Sequence, residues 1–240
     1  MKETHYFYAP DVLTTQELPE EEALHATRVL RMCPGDEITI TDGRGGLHEA
    51  VITATSKRSC SVAVKTSVQV EPLLKAGVHL AIAPTKNIDR MEWLAEKATE
   101  IGISELSFVN CRFSERTSIK GERIERIIVS AMKQSHKAEK PQMNEMVNFS
   151  EFVRNHTEGD RYICHCYDQE DLGEKPLLRD VLTSGNDAIV MVGPEGDFSV
   201  EEVKAAIEAG FRPVSLGKSR LRTETAGLVA VHLMNLCNMN

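Results

Sequence analysis

Ala188-Ile189-Val190-Met191-Val192 runs into Gly193-Pro194-Glu195-Gly196-Asp197-Phe198-Ser199, and further on Pro213-Val214-Ser215-Leu216 runs into Gly217-Lys218-Ser219-Arg220-Leu221-Arg222-Thr223-Glu224-Thr225-Ala226. A largely β-branched apolar run closed by Gly-Pro predicts a strand buried on both faces, because a parallel strand covered above and below loses its polar alternation. Ser199, followed three residues later by Glu202, is a capping box that satisfies amide donors at a helix start. That helix is expected to run to about Gly210, a left-handed stop. The order is strand, glycine loop, helix, strand, glycine loop, helix. In open α/β sheets ligands settle beyond the carboxyl ends of strands, where both loops fall. Glycines there let backbone approach a ligand, although the same residues also serve plain strand-to-helix turns. Two nucleotide signatures fail: the first glycine of a P-loop ending at Gly217-Lys218-Ser219 would fall on Arg212, and the third glycine after Gly43-Arg44-Gly45 would fall on His48. The Gly43 stretch reads better as a hairpin turn.

Outward from this pair of loops the same alternation continues. Strands are expected over 78–83, 105–110, 143–147 and 162–167, and helices over 88–101, 122–136 and 149–155. In the 88–101 helix Met91, Leu94, Ala95, Ala98 and Ile101 form one stripe. Repeated strand–helix units with short connections predict an α/β fold on a mostly parallel sheet. Residues 1–70 differ: strands over 37–41, 47–54 and 59–70, with one helix over 20–30, predict a small β-barrel-like domain. Residues 71–77 are then a linker and 78–240 a second domain. The last helix, from Thr223 to about Asn238, has no Asp, Glu, Lys or Arg after Ala226, and its apolar residues occupy more than one face. A helix without a charged face is buried on two sides, against its own sheet and either a second copy of the chain or more of the same chain.

The chain has 240 residues, of which 41% are hydrophobic, enough for a sizeable core. No apolar run approaches the roughly 20 residues that span a bilayer, and the first residues lack a signal-peptide core, so a cytoplasmic location is expected. Six cysteines without paired spacing predict reduced thiols. Cys164-His165-Cys166 alternates as a strand would and reads as core packing; no metal is expected there or elsewhere. A net charge of −8 argues against coating nucleic acid by bulk electrostatics. Between Arg112 and Lys140, however, eight Lys or Arg face four Glu, and Lys218, Arg220 and Arg222 add cations beside the second glycine loop. Such a patch suits one structured RNA site; a solvated helix face of mixed charge is the plainer reading.

GPEGDFS at 193–199 with LGKSRLRTETA at 216–226 resembles the RsmE family of ribosomal RNA methyltransferases, of the SPOUT class. His25 with Val29-Leu30-Arg31, Gly35-Asp36 and Asp42-Gly43 is similar to that family's N-terminal PUA-like domain, and Lys86, Met91-Glu92-Trp93, Glu96-Lys97-Ala98-Thr99-Glu100, Gly102 and Gln134-Ser135 extend the likeness. The resemblance implies methylation of N3 of a uridine in small-subunit (16S) rRNA with S-adenosylmethionine, a C-terminal trefoil knot, and a homodimer formed through the knot and the final helix. It implies cofactor contacts at Val192, Gly193, Pro194, Glu195, Gly196, Leu216, Gly217, Leu221, Arg222, Thr223, Thr225 and Ala226, and RNA contacts at Arg28, Arg31, Arg112, Arg116, Arg123 and Lys137. Uracil N3 must lose its proton for such a transfer. Glu224 is the candidate acceptor and Arg222 the candidate stabiliser of charge on a uracil oxygen, although Thr223-Glu224 also suits a helix start. The chain departs from the family at His5-Tyr6-Phe7, where an Arg is usual, and at Asp197, where a glycine is most frequent. Two other readings stay open: a noncatalytic RNA-binding protein of ribosome assembly on the same fold, and a SPOUT methyltransferase acting on tRNA.

Overall fold

The apolar runs before the two glycine loops fold as strands of one parallel sheet in a computed structural model that describes residues 5–168 and 172–239. The chain divides into two compact units, Met1–Pro72 with Val129–Lys140, and Leu73–Ile128 with Pro141–Asn240. The sequence places everything beyond 77 in one domain; the difference is the segment Val129–Lys140. Its place in the first unit has a local cause. The Thr41 hydroxyl and the Gly45 amide both donate to the Ala138 carbonyl at 3.0 Å, and the Lys140 amide donates to the Gly43 carbonyl at 2.9 Å. Lys133 also pairs with the buried Glu22.

The first unit holds β1 (His5–Tyr8), α1 (Val12–Thr15), α2 (Glu20–Leu24), β2 (Glu37–Thr41), β3 (Gly46–Thr55) and β4 (Cys60–Gln69). They form a four-stranded sheet in that order, with β1 parallel to β2 and the other pairs antiparallel. Phe7, Ile38, Ile40, Ala50, Ile52 and Val62 build its core. The helix expected over 20–30 changes character halfway: α2 ends at Leu24 and His25–Val29 is a π-helical turn, with the Leu30 amide donating to the His25 carbonyl.

The second unit carries β5 (Val78–Ile82), α3 (Ile88–Ile101), β6 (Glu105–Asn110), the first part of α4 (Gly121–Gln134), β7 (Gln142–Asn148), α5 (Phe149–Asn155), β8 (Asp160–Cys164), α6 (Leu178–Val181), β9 (Ala188–Val192), α7 (Val200–Glu208), β10 (Arg212–Val214) and α8 (Thr223–Asn238). Its sheet is parallel throughout, in the order β10-β8-β9-β5-β6-β7. Alternate side chains feed two cores. Leu80, Ile82, Val190 and Val192 meet α3 and α8, while Ala81, Ile163 and Met191 meet Phe152, Phe198, Val203 and Phe211. This two-sided burial removed the polar alternation from β5 and β9.

α8 lies close on this sheet, since a Cβ on Gly227 would stand 2.9 Å from Ile82 Cδ1. The Asn235 side-chain amide caps α3 by donating to the carbonyls of Ile101 (3.2 Å) and Gly102 (3.0 Å). Leu236 and Met239 at the other side of α8 are exposed. The strand expected over 162–167 runs instead from Asp160 to Cys164, so His165 and Cys166 leave the sheet. The chain builds outward from β5 to β7, then returns to place β9 and β8 on the other side of β5. That reversal is the position at which open parallel sheets form a crevice beyond their carboxyl ends.

Candidate active site

Three connections leave the carboxyl ends of β8, β9 and β10 and surround one cavity of about 1080 Å³. Ligand pockets commonly span roughly 300–1,000 Å³. After β9 the chain doubles back tightly: a Cβ on Gly193 would lie 3.0 Å from the Phe198 amide nitrogen and 3.2 Å from the Asp197 carbonyl carbon. Asp197 takes a left-handed conformation, φ +67°, which glycine adopts freely and aspartate tolerates. Its side chain gives a reason for an aspartate there. Oδ1 accepts the Phe198 amide and Oδ2 accepts the Cys166 amide, each at 2.8 Å, joining the β9 loop to the β8 loop. The capping box then starts α7: Ser199 Oγ accepts the Glu202 amide (3.2 Å) and Glu202 Oε2 accepts the Ser199 amide (2.8 Å). Glu195 Oε1 accepts the Lys86 amide at 3.0 Å, ordering the turn after β5.

The loop after β10 is held at its root by Leu177 and Ser215, which pair as a parallel bridge. Gly217 sits at φ +126° with open space where a Cβ would project. Arg222 is the exposed N-cap of α8, and its carbonyl accepts the Ala226 amide at 2.8 Å.

Of the residues expected at a cofactor, Val192, Gly193, Pro194, Glu195, Gly196, Leu216, Gly217, Leu221, Arg222, Thr223 and Ala226 line this cavity. Thr225 does not. Glu224 is also off the lining: it is buried in the first turn of α8, with Oε1 3.7 Å from Arg90 Nη1 and Oε2 lacking a hydrogen-bond partner among the described residues. The candidate acceptor therefore addresses Arg90, and Arg90 is the residue that reaches the cavity.

The β8 loop adds wall residues that the sequence pattern does not announce. Cys164, His165, Cys166 and Asp168 line the cavity, together with Lys175 from the following connection. His165 is buried and neither ring nitrogen has a hydrogen-bond partner among the described residues. Burial, helped by the Lys175 charge, lowers its pKa, so a neutral imidazole stands in the cavity wall. Burial near Asp197 pushes the Cys164 thiol up to about 12 and also raises Cys166, so both sulfurs are protonated and are not activated nucleophiles. The signal for this loop was the Cys-His-Cys cluster itself, read as a continuing strand.

The expected RNA residues divide between the units. In the first, Arg28 and Arg31 are exposed, and half-burial lowers the pKa of Lys137. In the second, the Arg112 amide donates to Glu202 Oε1 (2.8 Å) and its guanidinium lies 5.9 Å from the Phe113 ring. Arg116 donates to the carbonyls of Thr85 (3.2 Å) and Lys86 (2.7 Å), and Arg123 pairs with Glu92 at 2.6 Å. Arg116 thus serves partly to hold backbone, whereas the side chains of Arg112 and Arg123 remain more than 60% exposed, at 63% and 61%. Among the described residues no helix is long and apolar enough to cross a membrane.

The family model for an RNA methyltransferase domain matches residues 72–235, and one for an RNA methyltransferase PUA domain matches residues 18–65. The chain is 31% identical to a Ribosomal RNA small subunit methyltransferase E of Synechocystis sp. over 216 residues, 87% of this chain and 68% of that protein. A crystal structure of a probable rRNA-methyltransferase from Porphyromonas gingivalis superposes with a TM-score of 0.89 at 43% identity, covering 98% of each chain. A Ribosomal RNA small subunit methyltransferase E from Neisseria gonorrhoeae, solved bound to S-adenosyl methionine, superposes with a TM-score of 0.85 at 27% identity, again over 98% of each.

Proposed function

The chain belongs to the RNA methyltransferase family, and on that premise we propose that it methylates N3 of a uridine in small-subunit (16S) ribosomal RNA with S-adenosylmethionine. The observation that carries this reading is the closure of both glycine loops and the β8 loop around a single cavity. The residues present suit the cofactor. Glycine-bearing turns bring backbone to the cavity, Val192, Leu216, Leu221 and Ala226 supply apolar wall, and the buried His165 imidazole, without a hydrogen-bond partner among the described residues, can take one from a polar ligand atom. When bound, S-adenosylmethionine supplies an electrophilic methyl group.

The chain's own work is then positioning and charge stabilisation. Arg222, exposed at the cavity rim, faces the charge that develops on a uracil oxygen as solvent water takes the N3 proton. Arg90 is kept at the lining by Glu224, so Glu224 acts through Arg90 rather than as the proton acceptor: its carboxylate is off the lining. Asp197 fixes the β8 loop against the β9 loop. Arg112 and Arg123, with Arg28, Arg31 and Lys137, are the cations assigned to phosphate; Arg116 has the smaller share because its guanidinium holds two backbone carbonyls, whereas the side chains of Arg112 and Arg123, though paired with Glu201 and Glu92, stay largely exposed.

The trefoil knot and the homodimer belong to the same proposal. Exposed Leu236 on α8 and Met239 just after it, in a stretch with no Asp, Glu, Lys or Arg beyond Ala226, support an apolar dimer face.

Calorimetric titration with S-adenosylmethionine, followed by mass spectrometry of rRNA from small subunits incubated with enzyme and cofactor, tests the assignment. One bound cofactor per chain and new N3-methyluridine in rRNA are expected. Absence of binding would leave a noncatalytic RNA-binding protein, and methylation of tRNA alone would reject the rRNA substrate.

A further inference from the structure

At the amino ends of the central strands, away from the carboxyl-end loops, three side chains that the methyl-transfer reading does not use converge. His79 is the second residue of β5 and Glu105 the first of β6, and the two are register partners in the sheet. His156 is the residue that caps the carboxyl end of α5. One potential ligand atom from each lies within 4.8 Å of the other two.

The outer partners of these groups leave specific atoms free. His156 Nδ1 is 2.7 Å from the Phe152 carbonyl, which can only accept, so Nδ1 carries the proton and Nε2 of the neutral ring keeps its lone pair. His79 Nε2 is 2.8 Å from Ser107 Oγ, and Nδ1 points toward Glu105 Oε2 at 3.7 Å. Asn144, the register partner of Ser107 on β7, donates one amide hydrogen to Ser107 Oγ (2.8 Å) and the other to Glu105 Oε1. Phe152 holds both rings, stacked on His156 and edge-on to His79. Each inward group is thus oriented by a hydrogen bond from its far side, the arrangement by which proteins set the tautomer and basicity of metal ligands.

We propose that His79, Glu105 and His156 form a site for a divalent transition metal ion of the zinc class, joining the amino ends of β5 and β6 to the end of α5. Two imidazole nitrogens and one carboxylate oxygen suit Zn²⁺ with a fourth position open to water. Bonds of about 2.0–2.2 Å put tetrahedral ligands about 3.4 Å apart. The 3.7 Å between His79 Nδ1 and Glu105 Oε2 is close to that edge, and the remaining separations are within 4.8 Å.

The test uses Co²⁺ as a spectroscopic probe and Zn²⁺ as competitor on the full-length protein. One equivalent of Co²⁺ is expected to give visible d–d bands without a thiolate charge-transfer band, and Zn²⁺ is expected to displace it. His156→Ala and Glu105→Gln, both at partly exposed positions, should abolish the bands while keeping the circular dichroism and cofactor affinity of the parent. Ser107→Ala should weaken metal binding by roughly 10–100-fold. Absence of Co²⁺ bands, a thiolate band, or equal binding by His156→Ala would overturn the proposal.

Discussion

The two ends of one parallel sheet are built on opposite plans. At the carboxyl ends of β8, β9 and β10 the groups that face the cavity are set by backbone: a turn with little room for a Cβ at Gly193, a left-handed Gly217, and an aspartate in a left-handed conformation that ties two loops together. At the amino ends of β5 and β6 the backbone is regular strand and the convergent groups are side chains, oriented through Ser107, Asn144 and the Phe152 carbonyl. The difference teaches where each kind of site can be altered. Adding atoms to its turns is enough to break the first, whereas the second is broken only by removing atoms.

The largest effect that tests this contrast is expected for Arg222→Ala, which removes the rim cation and should lower kcat by about 10²–10³. Its cofactor affinity should change much less, and single-turnover kinetics beside calorimetry separate the two. Gly193→Val drives side-chain atoms into the Phe198 and Asp197 backbone. A displacement of about 1 Å at such a loop can cost on the order of 10²-fold, so cofactor binding should fall by that amount while the amino-end Co²⁺ spectrum stays unchanged. Loss of both would mean that the two ends are not independent.

Two substitutions sharpen the carboxyl end. Asp197→Ala removes both acceptors of the Cys166 and Phe198 amides and should weaken cofactor binding about tenfold, at the low end of the roughly 1.5–3 kcal/mol of a hydrogen bond to a charged group. Exchange of the Cys166 amide should quicken in parallel. Glu224→Gln should lower kcat by less than about tenfold with an unshifted pH profile, because the residue acts through Arg90. A loss in the range of about 10²–10⁴ with an altered pH profile would return it to the role of proton acceptor. The smallest effect is expected from Ser199→Ala, which deletes half of a capping box and should cost about 1 kcal/mol of stability, read from the denaturation midpoint.

The same contrast explains what was legible in the sequence. The β9 strand, the capping box, α3, α5 and α8 follow from contiguous patterns, and the structure places them at the expected residues. The glycine loops were legible because a turn's chemistry is written in adjacent residues. Glu224 stands beside a glycine loop in the sequence, but its pairing with Arg90 is set by the geometry of α8, which no local pattern shows. The β8 loop was missed because alternation in Cys164-His165-Cys166 continues the strand pattern past the point where the chain leaves the sheet. Val129–Lys140 joins the first unit through hydrogen bonds between residues about a hundred positions apart, which periodicity does not register. His79, Glu105 and His156 are brought together by strand register and the end of a helix, so no local spacing announces them.

The central claim is that the loops after β8, β9 and β10 grip one methyl donor together. Hydrogen–deuterium exchange with and without saturating S-adenosylmethionine measures this directly. Simultaneous protection of residues 164–168, 192–197 and 215–223 is the predicted result. Protection confined to one of these loops, or lying elsewhere on the chain, would contradict it.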